Sequence, residues 1–401
     1  MQQVKALLLK HNTLLAIYII VTIVASIHLL SLGQTHRIGN YLYGQEVPEY
    51  VYTHYNNYII FKNSFFHLLS GKDLYTLYPA EQWDLYKYSP TFALAMGTLA
   101  WMPDWAGLIL WNLLNTLALF AAIRMLPFHK KATALALWFI LVEVLTATQS
   151  SQSNCLMAAL MIGAWGYMER RKLQWATLLL VAATFIKVYG AVGFALFLFY
   201  PGKPKFILYA ALWTILMAIA PLAVLSPTQL IAQYQSWITM MGMDQSFSYG
   251  FSIMGWLHSW FGINEGKGIV VLIGILAFFL PLTRTGMYKN EVYRLLYLAF
   301  ILIWVIIFNH KAESSTFIIA VAGTAIWYFS QEPATWRKWV LAAVFVFTCL
   351  SPTDLFPPTI RQNILVPYVI KVVPCIIVWC IALYQLMTYR PRSIETSPVR
   401  A

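Results

Sequence analysis

The sequence predicts an all-α integral membrane protein, a polytopic bundle of about 10–13 transmembrane helices. Its 401 residues are 60% hydrophobic and only 10% charged, whereas soluble domains carry about 25% charged residues. The apolar residues form long runs, such as 14–32, 207–225 and 364–386. Because backbone polar groups inside lipid must be satisfied within one segment, these runs predict helices, and the alternating segments of a membrane β-barrel are absent.

Hydropathy places the candidate helices along a single transmembrane domain that covers residues 1–401. Their ranges are 13–32, 91–126, 132–148, 154–168, 173–186, 188–200, 206–225, 268–283, 293–308, 314–330, 338–350 and 365–388. The second range is too long for one simple span and is interrupted at Pro103-Asp104. It is either a kinked or re-entrant unit, which the distribution of basic residues favours, or two short spans that invert everything after them.

The basic residues lie in short loops between these ranges. They are Lys5 and Lys10; Arg124, Lys130 and Lys131; Arg170, Arg171 and Lys172; Lys203 and Lys205; Arg284, Lys289 and Arg294; Arg337 and Lys338; and Arg390 and Arg392. If all of them are cytoplasmic, both termini are cytoplasmic and the chain is a multi-pass protein of the cell (inner) membrane. The net charge of +12 then reflects topology, and we expect no nucleic-acid partner.

The opposite, outer face receives the loop 33–90 and the connections 149–154, 226–267, 309–315 and 351–363. The first loop is long and rich in tyrosine, and residues 58–70 have apolar side chains at helical spacing, followed by Gly71 as a stop signal. We expect a short amphipathic helix there that lies along the membrane surface. Long loops of this kind usually carry function, so loop 33–90 is the first place to look for active-site residues.

Polar groups at the outer ends of the apolar runs form the remaining candidates. Lys187 is flanked by apolar residues, where an unpaired charge costs several kcal/mol, so it either binds an anion such as phosphate or extends to the membrane surface. His310, Lys311 and Glu313 lie in a polar turn that could bind a phosphate and orient a hydroxyl, or could be an ordinary turn with an internal ion pair. The cysteines, Cys155, Cys349, Cys375 and Cys380, lack metal-ligand spacing and predict core packing, with no metal site.

Five short motifs then follow one another between about residues 55 and 190. They are Asn57-Tyr58-Ile59-Ile60-Phe61 with Leu68-Leu69-Ser70-Gly71-Lys72-Asp73-Leu74-Tyr75; Tyr88-Ser89-Pro90-Thr91-Phe92; Trp111-Asn112-Leu113-Leu114-Asn115; Gln152-Ser153-Asn154; and Ile186-Lys187-Val188-Tyr189. In this order and spacing they resemble the polyprenyl-phosphate-mannose-dependent mannosyltransferases of glycosyltransferase family 87, which have the GT-C fold. A looser similarity surrounds residues 310–313.

The resemblance implies an inverting hexosyltransferase that takes a mannose-like sugar from a polyprenyl-phosphate donor on the outer face. Its acceptor would be a glycan or glycolipid, and its other partners membrane lipids. No cofactor is expected, and the absence of a glycine-rich or Walker loop argues against a nucleotide donor. Tyr75, Tyr88, Asn112, Gln152, Asn154, Lys187, His310, Lys311 and Glu313 would bind substrate.

Three positions depart from the family pattern. Asn57 stands where an aspartate is usual, Ser151 where a glycine is usual and Gly190 where a proline is usual. Because asparagine cannot act as a general base, either another loop acid replaces the aspartate or the chain has altered chemistry. Among the loop acids Glu49 ranks first, Asp73 second and Asp84 third. The alternatives are a transporter or flippase for a lipid-linked solute and a non-catalytic family member that binds lipid-linked glycans.

Overall fold

The computed structural model describes residues 9–42, 45–243 and 249–390. Lys5 and Arg392 of the basic clusters, and Tyr43 of the first loop, lie outside these ranges. In chain order the α-helices are α1 (His11–Leu32), α2 (Asn56–Leu69), α3 (Pro90–Ala95), α4 (Gly97–Ala100), α5 (Asp104–Arg124), α6 (Lys130–Gln149), α7 (Asn154–Glu169), α8 (Leu173–Ile186), α9 (Lys203–Ile219), α10 (Pro227–Met243), α11 (Ile253–Phe261), α12 (Lys267–Phe279), α13 (Glu291–Ile307), α14 (Phe317–Phe329), α15 (Thr335–Val344), α16 (Pro358–Ile360) and α17 (Val373–Thr388). The multi-pass helical membrane fold is confirmed.

Among the described residues, five helical segments are long and apolar enough to cross a bilayer. They are His11–Leu32, Asp104–Arg124, Lys130–Gln149, Lys203–Ala223 and Ile370–Thr388. Shorter apolar helices cover Leu173–Ile186, Val188–Phe199, Lys267–Thr283 and Ser314–Phe329. In the region 91–126, α3 and α4 are each too short to cross a bilayer, and Pro103 separates them from α5. Ser89 caps the start of α3, because its side chain accepts a hydrogen bond from the Phe92 amide and Pro90 occupies the first helical position.

The first loop differs from the prediction in two ways. The strands β1 (Gln34–Leu42) and β2 (Gln45–Thr53) pair antiparallel, so the fold is not entirely helical. The helix α2 exists and ends before Gly71, whose φ is +65°, but its buried residues cover more than one face. It is packed inside the protein because its apolar residues point in several directions, and Tyr58, Phe61 and Leu68 are all fully buried.

Residues 173–199 form a helical hairpin whose tip is Lys187. Its first arm is α8, and its second arm is a 3-10 helix, Val188–Phe199, that returns antiparallel to α8. The arms lie so close at Gly190 that a Cβ atom there would be 2.6 Å from the backbone carbon of Ala183. The Gly190 amide also donates a 2.7 Å hydrogen bond to the Lys187 carbonyl, a contact that proline could not make. The hairpin therefore accounts for a glycine at this position.

The last membrane segment is irregular and is held by a buried ion pair. A π-helix covers Phe345–Leu350, another covers Arg361–Leu365, and Val369 has a φ of +51°. Just beyond, the Lys371 ammonium lies 2.5 Å from the Glu143 carboxylate of α6, with the two side chains 2% and 0% exposed. Lys371 also donates to the Thr348 carbonyl in the first π-helix. The pair thus joins the broken segment to α6.

Candidate functional site

Polar side chains from three separate turns meet around Lys187. Its Nζ atom donates a 2.8 Å hydrogen bond to Asn154 Oδ1 and a longer one, 3.4 Å, to Gln152 Oε1. The Asn154 amide in turn donates to Gln152 Oε1 and to the Ser315 hydroxyl. The sequence placed the hairpin tip, the 149–154 turn and the 309–315 turn on one face, and these contacts bring them together.

Gln152 connects this lysine to a carboxylate. Its Nε2 atom donates a 2.7 Å hydrogen bond to Glu313 Oε2. Glu313 is exposed, and no cation of the described ranges forms an ion pair with it. One amide group therefore touches a lysine on one side and a carboxylate on the other.

Lys187 is a cation that forms an ion pair with no acid in the described part of the chain. It is only partly exposed, and its Nζ lies 5.7 Å from the ring centre of Tyr88 and 5.8 Å from that of Tyr189. No carboxylate in residues 9–42, 45–243 or 249–390 lies within ion-pair distance of it. Burial lowers the pKa of Lys187 to about 8, although the more distant Glu313 acts in the opposite direction. An anion placed against Lys187 would favour the charged form and raise its pKa.

The 149–154 turn is fixed by residues of two other elements. Ser151 has a φ of +52°, the left-handed conformation that glycine adopts most easily, which explains why glycine is usual there. Trp111 donates from Nε1 to the Ser151 carbonyl at 2.8 Å, and Asn57 donates to the Ser150 carbonyl at 2.9 Å. On the following helix, the Leu156 amide donates to Asn115 Oδ1 at 3.2 Å. These contacts fix where Gln152 and Asn154 point.

The first loop contributes the aromatic side of the site. Tyr75 is buried and donates from its hydroxyl to the Tyr88 carbonyl at 2.8 Å. Tyr88 packs its ring against Phe61 and Phe92, and burial raises its pKa well above the usual range. The sequence motifs around Tyr75 and Tyr88 therefore shape the wall that faces Lys187.

Some predicted site residues do not join this group. Glu49 is 66% exposed on β2 and lies 3.4 Å from His36, because Pro48 is part of the strand and makes no turn. Asp73 uses one oxygen on the Tyr75 amide and the other on the Ser236 hydroxyl. Asn112 is buried between α1 and α5, where it donates to Ser26.

Sequence reasoning missed Trp111 and Asn115, although both belong to the motif that contained Asn112. A helical wheel offers a signal, because positions 111 and 115 share one face of α5 and 112 lies on another. Both residues contact the turn, as described above. His310 and Lys311 lie in the same turn as Glu313, with the Lys311 amide bonded to Asn309 Oδ1.

Two concave surfaces border the polar group. One is a groove of about 440 Å³ lined by Gly250, Phe251, Lys311, Ala312, Glu313, Ser314, Val366 and Val369. The other is an apolar groove of about 430 Å³ that follows the second arm of the hairpin and is lined by Ala191, Val192, Phe194, Ala195, Phe197, Leu198, Ile275, Phe278, Phe279 and Trp304. The polar groove ends at Glu313, and the apolar groove begins four residues beyond Lys187.

Three buried hydroxyls at this site have no hydrogen-bond partner among the described residues. They belong to Tyr189, two residues beyond Lys187; to Ser153, between Gln152 and Asn154; and to Ser314, next to Glu313. Buried polar atoms nearly always have a partner, so these unpaired hydroxyls indicate a place for a polar ligand. No cluster of three or more His, Cys, Asp or Glu side chains able to hold a metal ion occurs in the described ranges.

Residues 86–352 match the model of glycosyltransferase family 87. The chain belongs to glycosyltransferase family 87. The matched region of this family 87 protein contains Tyr88, Gln152, Lys187 and Glu313, so the polar group lies within the family's shared part. The resemblance inferred from the motifs is confirmed, and the protein is a membrane glycosyltransferase.

One solved structure similar to this family 87 chain is described as the crystal structure of ArnT from Cupriavidus metallidurans bound to undecaprenyl phosphate. The two chains are 13% identical with a TM-score of 0.38, and the similarity covers 93% of this chain and 77% of that one. None of the curated protein sequences matches the chain.

Proposed function

We propose that this family 87 protein transfers a hexose, mannose or a close analogue, from a polyprenyl-phosphate donor to a hydroxyl of a glycan or lipid acceptor, with inversion at the anomeric carbon. The transfer takes place on the face of the membrane opposite the basic loops, which is the outer face of the inner membrane if both termini are cytoplasmic. The observation that carries the proposal is Lys187, a cation at the tip of an apolar hairpin with no acid of the described residues in ion-pair distance.

A lipid-linked phosphate fits both neighbours of Lys187. The ammonium group and the Tyr189 hydroxyl supply hydrogen bonds to phosphate oxygens, and charge-assisted hydrogen bonds of this kind are about twice as strong as neutral ones. The apolar groove along the hairpin accommodates a hydrocarbon chain attached to that phosphate. A nucleotide sugar would leave this groove empty.

The phosphate gains negative charge when the sugar leaves. The bond between the anomeric carbon and the phosphate oxygen breaks, and a monoanionic diester becomes a polyprenyl phosphate with a second charge. Lys187 stabilises that added charge in a site with little water, where such an interaction is strongest. Lys187 therefore assists departure as well as binding.

The test compares binding of polyprenyl-phosphate hexose with that of the uncharged polyprenol. Lys187→Met should abolish binding of the phosphate donor and leave polyprenol binding and thermal stability unchanged, and Lys187→Arg should retain donor binding. Unchanged donor affinity in Lys187→Met would reject the phosphate role. Release of hexose from the donor by the purified protein separates a transferase from a flippase or a non-catalytic binder, neither of which would release it.

A further inference from the structure

The acid that activates the acceptor must lie one sugar ring away from the departing phosphate. In an inverting displacement the acceptor attacks the face opposite the leaving group, so base and phosphate lie on opposite sides of the ring. In inverting glycosidases the two catalytic carboxylates are about 6.5–9.5 Å apart, which indicates the separation to expect here. A base for the proposed donor therefore lies near Lys187 but beyond ion-pair distance.

Glu313 meets this condition. It has no ion-pair contact with Lys187, yet the Gln152 amide contacts both side chains, at 3.4 Å to the ammonium and 2.7 Å to the carboxylate. Because Gln152 occupies only Oε2, the other carboxylate oxygen has no hydrogen-bond partner among the described residues. One side-chain amide group thus lies between the Glu313 carboxylate and the Lys187 ammonium.

The polar groove gives an acceptor access to that oxygen. Glu313 lies in its wall beside Ser314, whose hydroxyl is buried without a partner among the described residues. Phe251 and Val369 form apolar parts of the same wall. The groove's volume, about 440 Å³, lies within the range of small-molecule pockets. Polar hydrogen-bonding groups beside apolar surface suit a sugar, which has both kinds of face.

The three ranked acids of the first loop are engaged elsewhere. Glu49 lies on the exposed hairpin near His36, and both oxygens of Asp73 accept hydrogen bonds. Asp84 accepts from the Leu85 amide and lies 3.5 Å from Lys87. None of these contacts connects the acid to Lys187, as Gln152 connects Glu313.

We infer that the groove at Glu313 binds the hydroxyl-bearing sugar acceptor and that Glu313 is the general base, in place of the aspartate that Asn57 replaces. The inference rests on the proposed function. Glu313 takes the proton of the acceptor hydroxyl as its oxygen bonds to the anomeric carbon. The bond from that carbon to the phosphate breaks, and polyprenyl phosphate leaves with the electron pair next to Lys187.

Glu313→Gln keeps the shape of the side chain and a hydrogen-bond acceptor for Gln152, but removes the base. We expect kcat to fall about 100- to 10,000-fold, with donor Kd and thermal stability unchanged. Turnover is measured as transfer of labelled hexose from polyprenyl-phosphate mannose to an alkyl mannoside or to water. Glu313→Asp should recover part of kcat. The matched control is Glu265→Gln, an exposed glutamate of the 262–266 connection.

Three outcomes separate the possibilities. Wild-type kcat in Glu313→Gln would overturn the role of Glu313 and leave the proposed function standing. If kcat is lost in Glu49→Gln but retained in Glu313→Gln, the general base is an acid of the first loop. A wild-type protein that binds polyprenyl-phosphate mannose but never releases mannose would overturn both proposals. Lys187→Met is the control for donor binding, because a loss of binding in this variant shows that the wild-type protein did bind the donor.

Discussion

The Asn57 side chain donates a 2.9 Å hydrogen bond from Nδ2 to the backbone carbonyl of Ser150. This contact joins α2 of the first loop to the turn that carries Gln152. It uses the one group that an aspartate lacks, an amide donor. At this position the chain therefore has a structural contact where its family usually has an acid.

Asn57→Asp should lower the free energy of unfolding by about 1–3 kcal/mol, because the carboxylate cannot donate and faces a carbonyl oxygen. Thermal unfolding in detergent measures the effect. The control is Asn63→Asp, also in α2: Asn63 donates to the side-chain amide of Gln82, which can rotate and donate in return. A stable Asn57→Asp protein with higher turnover would instead mean that position 57 is a vacated base position.

Donor affinity should fall as pH rises through about 8. Burial lowers the pKa of Lys187 to about 8, so the ammonium is present below that pH and is lost above it. The donor phosphodiester keeps a single charge throughout, so the change comes from the lysine and approaches about tenfold in Kd per pH unit. Lys187→Arg stays charged and should bind equally at all these pH values. A constant wild-type Kd between about pH 7 and pH 10 would contradict the assignment.

The Glu143–Lys371 pair should behave as a unit. Glu143→Gln or Lys371→Met leaves the partner unpaired in a fully buried position, and each should destabilise the protein by about 3–5 kcal/mol. The double variant Glu143→Met with Lys371→Met should recover most of that loss. Asp354→Asn removes an ion pair with Arg361 whose acid is 95% exposed and should change stability by about 1 kcal/mol or less. Additive losses in the double variant would show that the two residues are not coupled.

Thr76 and Lys172 should lie on opposite faces of the membrane. Both side chains are exposed, Thr76 in the first loop and Lys172 in a basic connection. On intact cells, an impermeant thiol reagent should label Thr76→Cys and leave Lys172→Cys unlabelled. The unmodified chain is the control, because Cys380 is exposed and Cys155, Cys349 and Cys375 are buried. The reverse pattern would invert the topology.

Much of the helical organisation could be predicted, because a long apolar run is visible in the order of the residues alone. The runs at 13–32, 132–148 and 154–168 correspond to α1, α6 and α7 within two residues at each end. The hairpin β1–β2 could not be predicted in this way. Residues 34–39 of β1 are all exposed, so no buried face imposes the alternation that identifies a strand.

The sequence predicted several residues of the candidate site but not the contacts between them. Lys187, Gln152 and Glu313 were each recognised as polar groups at the ends of apolar runs. Their contacts join residues as far apart as 152 and 313, and these depend on how the helices are arranged around one another. The position of Glu49 likewise depends on a strand, Gln45–Thr53, that places its side chain on the exposed hairpin.

The length of the helical hairpin has a consequence for the charge at its tip. Its first arm has 14 residues and rises roughly 21 Å at about 1.5 Å per residue, against a hydrocarbon core about 30 Å thick. An arm of this length is shorter than that core, and Lys187 at its tip makes its hydrogen bonds to the side-chain amides of Gln152 and Asn154. Lipid cannot offer such hydrogen bonds. Loss of either amide would therefore leave the charge of Lys187 with fewer contacts in surroundings that cannot replace them.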